Sequence, residues 1–176
     1  MFVAAWATLG AGADAYDPTS DAISRLAALG APTRLAMTAG LVALGAGMAL
    51  YGVALRPRPA WFLPVANGAL TLAVAALPLG GRFDTAHGVA ATLGYVTLAA
   101  VPVMVGSRLA RPLWARLSVA TGLVSGLCLL ASVLVARDGL YQRIGLTVAQ
   151  LWVAASALGL LRTPAPPPGT GSRVTV

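Results

Sequence analysis

An aspartate and the only histidine of the chain, Asp84 and His87, stand three residues apart in the segment GRFDTAHG. Residues at this spacing on a helix occupy neighbouring positions of one face, so the carboxylate can orient the imidazole. An Asp–His pair serves as a proton shuttle, as the base that activates a nucleophile, or as two ligands of a metal. The alternative is that Asp84 only caps a helix and His87 is only a polar side chain beside it.

A second polar segment, YDPTSDAISRLAALGAP, follows the first apolar run. An aspartate followed by a proline is typical of a helix start, because the carboxylate accepts hydrogen bonds from free amides and proline tolerates the first helical position. We predict a short helix from Pro18 to about Leu29 that lies flat over the end of the protein. Its polar positions form either a solvated face or the wall of a binding pocket, and they are Asp17, Ser20, Asp21 and Ser24.

A third polar segment, ARDGLYQRIG, contains Arg143. Its guanidinium can pair with an aspartate of the other segments, or bind a phosphate or carboxylate head group through two parallel hydrogen bonds. The candidate catalytic residues are His87, Asp84, Ser24 and Ser20. His87 would be the general base, Asp84 would orient it, and Ser20 or Ser24 would be the nucleophile. The candidate ligand-binding residues are Tyr16, Asp17, Asp21, Arg82, Gln142 and Arg143.

We expect neither a metal nor a cofactor. A zinc site would have to use His87 and the few aspartates, whereas the membrane zinc hydrolases that it would resemble use several histidines. The single cysteine, Cys128, lies in an apolar run and is interpreted as a small buried side chain. No phosphate-binding glycine loop, dinucleotide fingerprint, zinc-protease motif or nucleophile elbow occurs in the sequence.

The composition indicates an integral membrane protein. Of 176 residues, 58% are hydrophobic and 10% are charged, and the mean hydropathy is +0.81. A soluble domain of this size is about 45–50% apolar and about 25% charged, so it could not bury this much apolar surface. The net charge of +7 comes from arginines scattered between apolar runs, which indicates membrane topology rather than nucleic-acid binding.

The apolar runs predict an all-α protein with six transmembrane helices in residues 1–162. Five runs reach the roughly 20 residues needed to cross a bilayer, and they are Pro32–Leu55, Ala60–Leu79, His87–Gly106, Leu117–Ala136 and Ile144–Leu161. The first run, Met1–Ala13, is shorter by about two turns. We therefore expect coding sequence upstream to extend it by roughly 5–10 apolar residues. The Pro/Gly-rich tail, residues 163–176, is predicted to be disordered and cytoplasmic.

The charges orient these helices. The connections after helices two and four and the tail carry seven arginines and no acid, which places them in the cytoplasm. The connections after helices one, three and five hold the remaining five arginines and all five aspartates. We expect these three to lie outside as one assembly, since opposite charges near lipid attract each other. Asp17 or Asp21, Asp84, His87 and Arg143 would then lie close together.

Several motifs resemble one family. Tyr-Asp-Pro followed by Ile-Ser-x-Leu, the acid and histidine of GRFDTAHG, and Gly139-x-x-x-Arg143 before a last helix with AQLWVAAS are similar to the bacterial six-pass membrane family called domain of unknown function 998. The resemblance covers about residues 1–162 and implies the bacterial cytoplasmic membrane. A weaker, fold-level likeness links this family to Frag1/DRAM/Sfk1-like membrane proteins, whose roles involve lipids.

Three functions remain open. The first is a binding protein for a membrane lipid or small ligand at the outer polar cluster. The second is an intramembrane hydrolase or transferase that acts on a lipid-like substrate. A transporter is a weaker third, because His87 lies at a helix end and no Asp, Glu, Lys, Arg or His residue lies in the middle of a predicted span. The sequence leaves the oligomeric state open.

Overall fold

A computed structural model describes residues 2–14, 16–57, 59–106, 112–135 and 138–161. In these ranges the protein is all-helical, with six α-helices and one short 3-10 helix over Ile23–Ala27. The α-helices are α1 (Phe2–Ala11), α2 (Arg34–Ala54), α3 (Phe62–Ala76), α4 (Asp84–Gly106), α5 (Pro112–Leu134) and α6 (Asp138–Leu161). The predicted disordered tail lies outside the described residues.

Four of these helices, α2, α4, α5 and α6, have 21 to 24 residues and are apolar enough to cross a membrane. Helix α1 has 10 residues and α3 has 15, so both are apolar but shorter than a full span. Helix α3 ends before the predicted Leu79 because Pro78 follows Leu77. A residue before proline is disfavoured in the α region, and Leu77 has left it, with φ −114° and ψ 74°.

Helices α4, α5 and α6 begin three to six residues before the predicted spans. Their first turns are polar or contain proline, so a count of apolar residues alone misses them. Asp84 and Asp138 stand in the first turns of α4 and α6, where a carboxylate interacts favourably with the helix dipole. Pro112 begins α5, at a position where its missing N–H costs nothing.

The predicted helix from Pro18 to Leu29 is wrong. Residues 17–20 form a turn, and only the single 3-10 helix at Ile23–Ala27 follows. The physical reason is local: the Asp17 carboxylate accepts hydrogen bonds from the Thr19 N–H, the Thr19 hydroxyl and the Ser20 hydroxyl. Short polar side chains that bind nearby backbone in this way compete with helix formation.

Small residues let the helices approach closely. A Cβ atom added to Gly45 of α2 would lie 2.8 Å from Leu72 Cγ and 2.9 Å from the Gly68 carbonyl of α3. Gly145 of α6 faces the Ser125 carbonyl of α5, and the Ser125 hydroxyl donates to the Gly145 carbonyl at 2.9 Å. This is the packing that small-residue patterns give in membrane proteins.

Buried polar side chains join the helices, and Asn67 is one of them. Its amide nitrogen donates to the Gly94 carbonyl of α4 at 2.7 Å and to the Thr97 hydroxyl at 3.1 Å. By contrast, large apolar side chains cover the outside of the bundle, and Leu35, Leu50 and Leu127 are 84%, 70% and 67% exposed. A surface of this kind is suited to contact with lipid.

The three connections predicted to face outward meet at one end of the bundle. The Leu29 N–H, between α1 and α2, donates to the Leu79 carbonyl, between α3 and α4, at 2.8 Å. The Leu140 N–H, in the first turn of α6, donates to the Thr19 carbonyl at 3.0 Å. The expected assembly is therefore present, and backbone hydrogen bonds hold it together.

The contact between α2 and α3 can be tested with two alanine substitutions on one helix. We expect Gly45→Ala to lower the free energy of unfolding by about 1–3 kcal/mol, because the added methyl overlaps the α3 backbone. Gly47→Ala is the control, since a Cβ there has no described neighbour within 4 Å, and alanine slightly favours the helix. Thermal unfolding in detergent should separate the variants; equal stability would contradict this packing.

Candidate functional site

Arg143 joins α6 to the first connection. Its side chain is 7% exposed, and Nη1 lies 2.5 Å, 3.0 Å and 2.8 Å from the carbonyl oxygens of Pro18, Asp21 and Gly139. Nη2 donates to the Tyr16 hydroxyl, and the guanidinium carbon lies 5.2 Å from the centre of the Trp6 ring. The structure thus brings Tyr16 and Arg143 into direct contact. Carbonyl oxygens and aromatic rings surround the guanidinium.

The expected ion pair between Arg143 and an outer aspartate is wrong for the described residues. Asp21 offers Arg143 its backbone carbonyl, while its carboxylate pairs with Arg25 at 3.1 Å and accepts the Asp17 N–H at 2.9 Å. Both Nη atoms of Arg143 already have hydrogen-bond partners in the loop and in α6, and its role in binding a head group stays a prediction. The buried cation is stabilised by carbonyl oxygens rather than by a carboxylate.

Gly139 makes this contact possible. A Cβ at this position would lie 2.9 Å from the Pro18 carbonyl and still closer to the Asp21 carbonyl. Gly139 stands one helical turn before Arg143, so the loop carbonyls reach the guanidinium over a residue that has no side chain. The Gly-x-x-x-Arg pattern is therefore a docking surface for the first connection.

The polar residues of the first connection order the loop itself. Hydrogen bonds from Thr19, first its N–H and then its hydroxyl, lower the pKa of Asp17 from its ordinary value. The contribution of Asp17 to stability is thus present above the ordinary aspartate pKa and is lost as pH falls through the lowered value. Burial raises the pKa of the Tyr16 phenol, so Tyr16 stays protonated at neutral pH. Ser20 is exposed and bonded to Asp17 at 2.9 Å.

Asp84 and His87 do not pair. The Asp84 carboxylate accepts the N–H groups of Gly80 and Gly81 at 2.9 Å and 3.0 Å, so it orders the loop before α4 instead of capping the helix. His87 Nδ1 lies 2.6 Å from the Leu77 carbonyl. All of these partners lie in the connection between α3 and α4. The imidazole is oriented by the Leu77 carbonyl and not by the Asp84 carboxylate. The predicted Asp–His pair is therefore wrong.

No hydrogen bond or ion pair of the described residues joins His87 to Asp21, Asp84 or Arg82. Asp84 and Asp21 line an open outer depression of about 690 Å³ beside the first connection. Arg82 is exposed, with its guanidinium carbon 4.7 Å from the centre of the Phe83 ring. Among the described residues, no group of three or more His, Cys, Asp or Glu side chains is placed to hold a metal ion.

His87 instead faces a cavity inside the bundle. The cavity has a volume of about 70 Å³ and lies between α1, α2, α3, α4, α6 and the 3-10 helix. Three predicted site residues line it: Ser24, His87 and Gln142. The other polar lining residues were not predicted as site residues, and they are Asn67, Thr71, Tyr95 and Gln150. The rest is apolar, from residues such as Phe2, Leu41, Leu70 and Leu146.

A spacing signal could have found the missed residues. Tyr95 follows His87 by eight positions and Gln150 follows Gln142 by eight positions, which places each pair on one face of a helix, two turns apart. Polar side chains that share a face within an apolar run turn toward the bundle interior, because lipid cannot satisfy their hydrogen bonds. The two stripes, on α4 and α6, meet across the cavity.

The hydrogen bonds of Gln142 fix its orientation. The Ile23 N–H donates to Gln142 Oε1 at 2.7 Å, so the other end of the amide is the nitrogen, which donates to the Tyr95 hydroxyl. Ile23 is 2% exposed and belongs to the 3-10 helix of the first connection. The loop that Arg143 holds therefore also positions the polar side chains of the cavity.

A second space of about 250 Å³ adjoins the cavity, and we call it the vestibule. Ser24, His87, Tyr95 and Gln142 line both spaces. Ser132 of α5 and Asp138 of α6 line only the vestibule. The vestibule lies beside the cavity, at the end of the bundle where α5 ends and α4 and α6 begin.

Two side-chain atoms of the cavity residues are buried with no hydrogen-bond partner among the described residues: His87 Nε2 and Gln150 Nε2. Most buried polar groups in proteins are paired with protein or with ordered water. The cavity, at about 70 Å³, has room for roughly five water positions at about 10–15 Å³ each. These atoms are thus suited to bind a polar group that enters from outside the protein.

Comparisons with known proteins identify the family. A family model described as a protein of unknown function (DUF998) matches residues 1–159. The chain therefore belongs to this family, as its motifs indicated. No curated protein and no solved structure matches the chain.

The Arg143 contacts predict a large effect of a small change. We expect Arg143→Lys to lower the free energy of unfolding by about 2–4 kcal/mol, because an ammonium cannot reach three carbonyls and the Tyr16 hydroxyl at once. Arg25→Lys is the matched control in the same assembly. Its side chain is 66% exposed, so the loss should stay below about 1 kcal/mol.

Thermal and denaturant unfolding of the purified protein would measure both variants. Equal effects of the two substitutions would show that Arg143 does not hold the first connection.

Proposed function

We propose that this protein is a six-pass membrane protein that binds a lipid head group or small ligand in the interior cavity. In this proposal α1 and α3 also cross the bacterial cytoplasmic membrane, both termini lie in the cytoplasm, and the vestibule opens near the outer surface. The distribution of arginine supports this orientation, because the sequence segments that follow α2, α4 and α6 carry arginine without acid.

One observation carries the binding function: His87 and Gln150 line the cavity, and the Nε2 atom of each is buried without a partner among the described residues. Leaving buried polar atoms unpaired costs about 1–3 kcal/mol each. Where buried polar side chains join the helices, as at Asn67 and Ser125, their atoms are hydrogen-bonded, whereas these two atoms are not. A ligand that supplies the missing hydrogen bonds removes this cost on binding.

The geometry supports binding more than catalysis. A hydrolase would need a nucleophile within hydrogen-bonding distance of its base, and the described structure contains no hydrogen bond between Ser24 and His87. One observation keeps an intramembrane hydrolase as the second candidate: Ser24 and His87 line the same cavity and the same vestibule. In that case the Leu77 carbonyl would orient the base.

The binding function can be tested by filling the cavity. The full chain in a neutral detergent would be titrated with diacylglycerol, phosphatidic acid and glycerol while its unfolding temperature is measured. A ligand at about 100 times its Kd stabilises by about 2.7 kcal/mol. For a chain of this size that is a rise on the order of 5–10 °C. We expect at least one probe to produce a rise of this order.

Ala91→Leu should abolish that rise, because Ala91 lines both the cavity and the vestibule. Ala86→Leu is the control: it makes the same change on α4, at an exposed residue that lines neither space. If no probe stabilises the wild type, or if Ala91→Leu responds as the wild type does, the proposal is wrong. Hydrolysis of a lipid ester that Ser24→Ala abolishes would favour the second candidate.

A further inference from the structure

The polar atoms of the cavity also select a chemical class of ligand. We propose that the cavity binds an uncharged hydroxyl group, carried either by a neutral lipid such as diacylglycerol or by a free polyol. This inference rests on the proposed binding function and concerns the same cavity.

The first step is the tautomer of the neutral His87 ring. The Leu77 oxygen is a carbonyl and can only accept a hydrogen bond, so the proton between it and His87 Nδ1 belongs to the imidazole. In the neutral ring the other nitrogen, Nε2, is then an acceptor. This atom is buried, the His87 side chain is 5% exposed, and the residue lines the cavity. His87 therefore offers an acceptor to a ligand.

The second step is the direction of the Tyr95 hydroxyl. The Ile23 N–H fixes Gln142 Oε1 as an acceptor, so Gln142 Nε2 is the donor toward Tyr95. The Tyr95 oxygen accepts that hydrogen bond, and its own proton has no acceptor among the described residues. Tyr95 lines the cavity and therefore offers it a donor.

Asn67 adds a second acceptor by the same reasoning. Its amide nitrogen uses both protons, on the Gly94 carbonyl and the Thr97 hydroxyl, which leaves the Oδ1 oxygen. Gln150 adds an amide nitrogen that is unpaired within the described structure. The cavity thus combines donors with acceptors, and none of its described lining residues carries a formal charge.

This combination fits a hydroxyl group better than an ion. A hydroxyl can donate to His87 Nε2 and accept from Tyr95 at the same time. A fully ionised phosphate only accepts, so it would face the His87 and Asn67 acceptors without a cation, because Arg143 is bound to the loop carbonyls. An ammonium only donates and finds no carboxylate in the cavity. The nearest carboxylate on the path, Asp138 of the vestibule, accepts the Gly139 N–H at 2.9 Å.

The test uses the full chain in phosphatidylcholine nanodiscs with guest lipids that share the same acyl chains. The four guests end in a hydroxyl (diacylglycerol), its methyl ether, a phosphate (phosphatidic acid) and an ammonium (diacyl-ammoniopropane). Glycerol, added to the buffer without a guest lipid, represents a free polyol. The apparent affinity for each probe is taken from the rise in unfolding temperature with its concentration.

We expect diacylglycerol, glycerol or both to bind. If diacylglycerol binds, the two charged lipids and the methyl ether should bind at least about tenfold more weakly. Binding of diacylglycerol alone assigns the hydroxyl to a membrane lipid, and binding of glycerol alone assigns it to a free polyol. Tyr95→Phe should weaken the hydroxyl probe about tenfold. Tyr51→Phe is the matched control, because that hydroxyl contacts Ser156 and lies outside the cavity lining.

Three results would overturn the inference: phosphatidic acid or the ammonium lipid binding at least as tightly as the hydroxyl probe, the methyl ether binding as tightly as diacylglycerol, or Tyr95→Phe binding unchanged. If Ala91→Leu still abolishes binding of the probe in question, the ligand enters the cavity, so the binding function survives and only the ligand class is wrong. Failure of every probe to bind the wild type would reject both proposals.

Discussion

The described structure depends on a buried cation that no carboxylate neutralises. Arg143 lies in the second turn of α6 and donates to carbonyl oxygens of the first connection, with the Trp6 and Tyr16 rings beside it. A charged group taken out of water needs hydrogen-bond partners, and both Nη atoms have them, while Nε is buried without a partner among the described residues. They fix where the connection between α1 and α2 lies.

The position of that connection reaches the cavity through a short series of hydrogen bonds. The docked loop places the 3-10 helix, whose Ile23 N–H binds Gln142, and Gln142 in turn binds Tyr95. A loop outside the membrane-spanning part thereby orients two side chains inside it. Polar networks of this kind are energetically sensitive, because each missing partner leaves a buried group unpaired. Structure at the end of the bundle and polarity in its interior are thus coupled.

The cavity gives the polar residues of an apolar protein a common purpose. Asn67, His87, Tyr95 and Gln142 come from three different helices and converge on one space. In lipid-embedded helices such residues either bind neighbouring helices or line a route for a polar molecule. Asn67 does the first with its amide nitrogen. His87 Nε2, which has no partner in the described part of the chain, is placed for the second.

Composition and the length of the apolar runs determined the all-helical class and most helix positions, because burial in lipid requires long apolar helices with internally paired backbone. The family motifs and the meeting of the three connections were also predictable. The count of apolar residues missed two local features, the early end of α3 and the turn after Asp17. A proline after Leu77 shortened α3, and the carboxylate of Asp17 replaced a predicted helix with a turn. Both effects depend on individual contacts that an apolar count does not include.

The site was predicted in part, since Ser24, His87 and Gln142 do line one cavity. Their partners were not, because sequence spacing shows which residues can meet within one helix and not which atoms of other segments compete for them. Asp84 stands one turn from His87, yet it binds the Gly80 and Gly81 amides while the Leu77 carbonyl takes the imidazole. Arg143 met carbonyls instead of aspartates because Gly139 lets the loop backbone approach. Residue types and their order along the chain came from the sequence by itself, whereas the pairing of each polar atom was decided by the tertiary structure, since hydrogen bonds depend on distances across different segments.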